Sequence, residues 1–291
     1  KLLIEIFARL PVKSLLRFRS VCKSWYSLIT NPSFITTHLN RTKSSHSHKL
    51  LIKFNYGNRD GCLSFTDDET FGDEFVKLEY LVQNYNEFKI VGSCDGLLCL
   101  SDYYGSDYAV LWTPSIRRFV KLPKSGSSVT KTHRLLRFDF GFGFNHMSND
   151  YKVVKIVCAK DNHRRYVVHR VEHFALSMGS WRSVCIGDLC YKLYGFDSLL
   201  VFVNGAAHWV VFNLRKDCVC ILAFDIVEEV FREIALPNHQ IDVILRTHVS
   251  ITLLGKSLAV ILYEAVFYFC ENNWDQPCMG NGRIWCHRVM D

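Results

Sequence analysis

In three stretches of this chain an aromatic residue is followed seven positions later by another, across residues that read as a tight turn. Trp112 and Phe119 stand so in "AVLWTPSIRRFVKLP", Phe174 and Trp181 in "EHFALSMGSWRSV", and Phe224 and Phe231 in "ILAFDIVEEVFREIALP". Each predicts strand, turn, strand, with one aromatic anchoring each arm and all six buried. A second element recurs upstream: Asp95-Gly96 opens "DGLLCL", Asn204-Gly205 opens "NGAAHWVV" and, as the weakest copy, Leu254-Gly255 opens "LGKSLAVIL". Between them "GFGFNHMSNDYKVVKIV" (Gly141 to Val157) reads as a turn and then a strand. Units of roughly fifty residues with about four strands each suit a propeller blade, since a lone blade cannot bury both faces and must stack on neighbours. A twisted sandwich fits the same pattern.

The first forty residues carry a different period. Leu2, Leu3, Ile6, Phe7 and Leu10 recur at helical spacing until Pro11 stops them. Leu15, Leu16 and Phe18 form a second cluster, and Val21, Cys22, Trp25, Leu28 and Ile29 a third. Asn31-Pro32 closes that helix and opens a fourth through Phe34, Ile35 and Leu39, because proline suits a first helical turn. The polar "NRTKSSHSH" (Asn40 to His48) reads as a loop. The expected fold class is therefore α+β: a small helical module over residues 1–40, a linker over 41–48, and an all-β domain over 49–291.

Composition narrows the chemistry. With 291 residues, 49% of them hydrophobic and 22% charged, the chain can bury a sizeable core. Its net charge of +7 comes from Lys and Arg read as scattered, without an aromatic-interleaved basic run, which points to a solubilising surface and away from nucleic acid. None of the 12 cysteines forms a CxxC pair, and most sit in apolar strand-like runs, as Cys94, Cys99, Cys218 and Cys220 do. Thiols there act as small hydrophobes, so a reducing compartment is expected. Glu5 interrupts the first apolar run and no apolar run approaches a membrane span, so neither a signal peptide nor a membrane association is expected.

Catalytic signatures are lacking: there is no phosphate-binding glycine loop, nucleophile elbow or HExxH. "GFGF" at Gly141 to Phe144 lacks the third glycine of a dinucleotide site and is expected to be a turn. His46 and His48, His169 and His173, and Cys278, Cys286 and His287 do not supply the two close pairs that tetrahedral zinc needs. The expectation is no metal, no cofactor and no catalytic residue.

What the chain does have is apolar surplus. "RLPVKSLLRFRSVCKSWYSLI" (Arg9 to Ile29) carries more Leu, Val and Trp than a short basic piece can hide, and a module of about forty residues cannot bury enough area to stand alone. It leans either on the strand domain, as a cap, or on a partner. An apolar centre rimmed by Lys13, Arg17, Arg19 and Lys23 has the form of a partner interface.

The segment "LLIEIFARLPVKSLLRFRSVCKSWYSLITNPSFITTHL" resembles an F-box motif of the large plant class that carries an F-box-associated domain. "GSCDGLLCL", "LWTPSIRRFVKLP", "FGFGFNHMSNDYKVV", "MGSWRSV", "VNGAAHWVV" and "FDIVEEVFREIALP" match that domain in order, so the resemblance spans almost the whole chain. It implies an F-box module followed by a propeller-like domain, acting as the non-catalytic substrate receptor of an SCF-type ubiquitin ligase in the cytoplasm or nucleus. The F-box would dock on a Skp-type adaptor, and through it on cullin and RING subunits, while the strand domain holds a protein target of unknown identity. Matching position to motif assigns adaptor contact to Leu10, Pro11, Val12, Leu15, Leu16, Val21, Cys22 and Trp25, some of which must form the module's own core. The family motif begins with a Leu-Pro pair before the first helix, whereas this chain starts inside that helix; "GRIWCHRVMD" ends where the family continues into further strands. A fragment is therefore expected. The alternative reading is a propeller-type carbohydrate or small-ligand module with a helical cap, and a weaker one an enzyme on a propeller scaffold.

Target recognition is expected in loops that interrupt the hairpin pattern. "KSGSSVTKTHRLLR" (Lys124 to Arg137) and "AKDNHRRYVVHR" (Ala159 to Arg170) are both basic and are expected on one rim. Arg134, Arg137, Arg164 and Arg165 would there meet an acidic patch on the target; the acidic loop "DDETFGDE" (Asp67 to Glu74) is the substitute site.

Overall fold

The computed structural model describes residues 2–44, 49–56, 59–66, 88–102, 106–125, 136–160, 166–185, 187, 190–193, 200–236, 247–264 and 282–286. Four helices come first: α1 (Leu2–Phe7), α2 (Val12–Phe18), α3 (Lys23–Thr30) and α4 (Pro32–Ser44). Pro32 begins α4, and the Asn31 carboxamide oxygen accepts the Ser33 N–H (2.9 Å) and hydroxyl (2.6 Å), so Asn-Pro does switch one helix into the next. Helix α4 continues through Ser44, so the start of the polar stretch read as linker is helical.

The rest is antiparallel. A hairpin of β1 (Lys49–Tyr56) and β2 (Arg59–Thr66) precedes a sheet of β3 (Phe88–Cys94), β4 (Leu97–Asp102), β5 (Ala109–Thr113) and β6 (Arg118–Lys121), in that order. Next come β7 (Leu136–Asn145), β8 (Asp150–Lys160), β9 (Tyr166–Ala175) and β10 (Ser180–Val184), then β11 (Tyr191–Leu193), and then β12 (Val201–Val203), β13 (Ala206–Asn213), β14 (Cys218–Asp225) and β15 (Phe231–Ala235). The short β11 pairs with both β9 and β13, which joins two four-stranded meanders into one nine-stranded sheet. A last sheet contains β16 (Thr247–Leu254), β17 (Ser257–Glu264) and β18 (Gly282–Cys286). Meanders of chain-consecutive strands are the unit that the sequence pattern predicts. The chain divides into two compact units, one holding the helices with β1, β2 and the β5–β6 hairpin, the other holding β7 to β18.

The predicted hairpins form with their aromatics directly opposite: Trp112 faces Phe119, Phe174 faces Trp181, and Phe224 faces Phe231. The spacing of seven follows from the loops. Among the described residues, the loops ending at Arg117, Asn149, Gly179, Asp217 and Glu229 each close with that residue at positive φ, between 50° and 64°. This left-handed residue turns the chain back into register after a type I-like turn. The residue before the loop often holds it. The Asn145 oxygen accepts the N–H groups of Met147 and Ser148 (3.0 and 3.1 Å), Asn213 those of Arg215 and Lys216 (2.9 and 3.1 Å), and Asp225 those of Val227 and Glu228 (2.9 and 3.0 Å). Ala175 cannot do this, and the Asp150 carboxylate from the neighbouring hairpin accepts the Ser177 N–H (3.1 Å) and hydroxyl (2.6 Å) instead. Asp95-Gly96 and Asn204-Gly205 have both residues at positive φ, as the tightest hairpin turns require.

Two sequence expectations need correction. Gly141 to Phe144 is not a turn but the middle of β7. Its glycines admit aromatic rings: a Cβ on Gly141 would stand 2.8 Å from the Trp209 ring, and one on Gly143 would overlap the Phe202 ring. Nor are all six hairpin aromatics buried. Trp112, Phe174 and Phe224 are, Trp181 and Phe231 are half-buried, and Phe119 is 52% exposed. The buried member of each pair lies on an inner strand (β5, β9, β14), whereas its partner lies on a strand (β6, β10, β15) with one neighbour among the described residues. Phe174 and Trp181 still pack at 5.4 Å between ring centroids, and Phe224 and Phe231 at 4.9 Å.

Beneath Trp181 lies a fully buried cation. The Lys155 ammonium stands 3.0 Å from Glu172 Oε2 and 3.0 Å from Asp107 Oδ1, donates to Ser125 Oγ at 2.8 Å, and sits 4.2 Å from the Trp181 ring centroid. The Trp181 indole N–H donates to the Pro123 carbonyl. Burying this charge is tolerable only with such partners, and the partners fix the segments around Asp107 and Ser125 against β8, β9 and β10.

Two buried histidines give the fold a pH dependence. Burial holds both His173 and His208 below the ordinary histidine value; at His173 Glu229 opposes this while Lys152 and Arg182 reinforce it. Below the ordinary value of 6.5 the unfolded chain binds protons that the folded rings refuse, so stability falls as pH drops through that value and is retained above it. The urea midpoint of the chain will decrease on acidification through this range; a midpoint rising in the same interval would contradict the burial of these rings.

Candidate functional site

The helical module has a core of five buried residues, Phe7, Ala8, Leu15, Ile29 and Phe34, with Leu10, Phe18, Trp25 and Leu28 packed against it. Phe7, Phe18 and Trp25 form an aromatic triangle with centroids 4.9 to 5.7 Å apart. The Leu10 carbonyl pairs with His38 Nε2 at 2.9 Å, tying α4 to the chain between α1 and α2.

This core divides the eight residues assigned to the adaptor. Leu15 is 5% exposed and belongs to the interior, and Leu10 and Trp25 are half-buried against it. Pro11, Val12, Leu16, Val21 and Cys22 remain outside, with Leu16 38% and Val21 60% exposed. Leu15 and Leu16 are neighbours, but one residue turns a helix by about 100°, enough to send them to opposite environments. The Cys22 thiol, at the N-terminus of α3, is lowered from its usual range by the Ser24 hydroxyl first and by the Trp25 N–H next.

Sequence reasoning missed part of this surface. Leu2, Leu3, Ile4 and Ile6 of α1 are all exposed, Leu2 by 76%, and only Phe7 of that helix is buried. A signal was present: "LLIEIF" is apolar almost all round, and so small a core cannot cover every side of such a helix. Charge is also partitioned. The first 44 residues carry eight Lys and Arg against the single Glu5, which equals the whole net charge of +7; the remainder of the chain is balanced. The basic surplus is thus concentrated in the helical module and not scattered. Exposed apolar side chains in a cationic field fit an acidic partner surface with an apolar centre.

In the strand domain, Arg137 is a half-buried residue of β7 facing Cys158, while Arg134, Arg164 and Arg165 lie outside the described residues, as does the acidic segment 67–74. The strand ends that flank the two basic loops are side by side: Leu136 faces Ala159, and Lys160 faces Tyr166. Among the described residues no group of three or more His, Cys, Asp or Glu converges to hold a metal ion, and no helix is long and apolar enough to cross a membrane.

The chain matches two family models: the F-box domain over residues 1–37, and the F-box associated beta propeller domain over residues 50–268. Three curated relatives from Arabidopsis thaliana illustrate the match. F-box protein At3g07870 is 29% identical over 259 residues, covering 81% of this chain and 60% of that protein. F-box protein CPR1 is 28% identical over 255 residues, covering 80% and 59%, and F-box/kelch-repeat protein At3g23880 is 28% identical over 242 residues, covering 80% and 64%. The chain spans about three fifths of the length of these relatives, from 59% to 64%.

Proposed function

As the chain belongs to the F-box proteins that carry an F-box associated beta propeller domain, we propose that it is a substrate-recognition subunit of an SCF-type ubiquitin ligase. Residues 1–40 dock on a Skp-type adaptor, and through it on cullin and RING subunits, and residues 49–291 hold a protein target. The observation that carries this reading is the surplus of the helical module: Leu2, Ile6, Val12, Leu16 and Val21 stay exposed over a satisfied core, in the one region that bears the chain's net charge. The role is positional and non-catalytic. Holding a target lysine beside a charged ubiquitin-transfer enzyme raises its effective concentration, which is itself a large rate contribution. Such work belongs in the cytoplasm or nucleus.

Copurification tests the proposal. A tagged chain will retain a Skp-type adaptor from plant lysate, and a chain lacking residues 1–40 will not; equal recovery with both would end it. The rim formed by the two basic loops is the proposed target site. Reversing Arg134, Arg137, Arg164 and Arg165 to Glu will weaken target capture and its salt dependence while adaptor capture is unchanged. Equal target recovery would remove these loops from the site.

A further inference from the structure

We infer that the outer edge of β6 is a docking strand for an extended, acidic segment of a protein target, which pairs with the sheet beside Phe119. The inference rests on the reading of the chain as a substrate receptor and adds the kind of substrate surface that it receives.

Three observations converge. The first is the backbone. Strand β6 ends the order β3-β4-β5-β6 and pairs with β5 alone among the described residues. The Leu122 N–H donates to the Ala109 carbonyl at 3.0 Å, which sets the alternation along the pair. Val120 and Arg118 therefore direct their main-chain groups to β5, and the Phe119 N–H and C=O point outward, where an added strand would meet them.

The second is the side chain. Among the described residues, four hairpins place facing aromatics seven positions apart, and in three of them the two rings pack on each other, at 5.0 Å for Phe144 and Tyr151, 5.4 Å for Phe174 and Trp181, and 4.9 Å for Phe224 and Phe231. In the fourth, Trp112 is 2% exposed while Phe119 is left half in solvent, with Val120 exposed beside it on the other face. A position that departs from its own repeat, toward exposed apolar surface, is where a repeat scaffold places recognition.

The third is charge. Arg117, Arg118 and Lys121 are all exposed, and no Asp or Glu occurs in the sequence between Asp107 and Asp139. Cations on an edge strand discourage pairing with a second copy of the same basic strand. The same cations attract a strand that carries carboxylates.

The test uses the full chain and fluorescein-labelled decapeptides read by anisotropy. A peptide of alternating Glu and Val will bind, with affinity falling as salt is raised. Its Lys-Val counterpart will not bind, nor will the Glu-Val peptide N-methylated at alternate residues, which keeps the charge but removes the pairing donors. Phe119→Pro will weaken binding about tenfold or more, because it deletes an outward donor while sparing the bonds to β5. Phe119→Ala, which leaves the backbone intact, will weaken it less, and serves if the proline variant misfolds. Equal binding of the N-methylated peptide, or tighter binding of a labelled oligothymidine than of the acidic peptide, would overturn the inference. Adaptor capture is measured on the same preparations. Peptide failure with adaptor capture intact removes the docking strand alone; adaptor failure with peptide binding intact removes the receptor assignment alone.

Discussion

Leu16→Asp or Val21→Asp will abolish retention of a Skp-type adaptor and leave the thermal midpoint of the chain unchanged. Both side chains are in solvent in the free chain, Leu16 38% and Val21 60% exposed, so an aspartate there costs the fold almost nothing. In the complex the same carboxylate would be desolvated without a partner, in place of an apolar anchor. Truncating such anchors alone costs about 2 kcal/mol or more, and an unpaired buried charge adds to it, so a loss of at least about a hundredfold in affinity is expected. Leu15→Asp is the contrasting variant. Leu15 is 5% exposed within the core of Phe7, Ala8, Ile29 and Phe34, so the charge there will unfold the helical module and remove adaptor binding indirectly. Circular dichroism of the isolated variants separates the two cases. Undiminished adaptor recovery with Leu16→Asp and Val21→Asp together would show that this face is not the interface.

Phe224→Ala will lower stability by about 3 to 5 kcal/mol, whereas Phe119→Ala, on the outer strand of its hairpin, will change it by less than about 0.5 kcal/mol. Phe224 is fully buried on β14 among Trp209, Leu222 and Val211, and its removal leaves a cavity that neighbouring strands, held by their ladders, cannot close. Phe119 is 52% exposed on an outermost strand, so little apolar area returns to water when it is cut back. Urea unfolding followed by tryptophan fluorescence measures both. A Phe119→Ala cost equal to that of Phe224→Ala would mean that the outer aromatic is packed after all, and would also remove the docking strand proposed for β6.

Local geometry is written in the residues themselves. Hairpin register was legible because the loop closes over a fixed number of residues and the two aromatics fall opposite each other, as Trp112 and Phe119 do. Asp95-Gly96 and Asn204-Gly205 announced their turns because few residues accept positive φ in succession. The switch from α3 to α4 at Asn31-Pro32 was readable for the same reason: capping and φ restriction act within three or four residues. The F-box assignment was legible as well, since it rests on residue types in order.

Tertiary structure decided what lies beyond that reach. Whether Leu15 or Leu16 is core depends on where Phe7, Ile29 and Phe34 arrive, and nothing within either residue's own turn specifies it. "GFGF" reads as a turn until the Trp209 and Phe202 rings, more than fifty residues away, are seen to need the missing Cβ atoms. The Lys155 cluster joins Asp107, Ser125 and Glu172, which no local pattern connects. Phe119 shares its spacing with Trp181 and Phe231, yet only the third dimension shows that those two are half-buried while Phe119 is 52% exposed. Torsional preference and hydrogen bonding in a turn are short-range and written residue by residue; burial is set by every element that packs on a position at once.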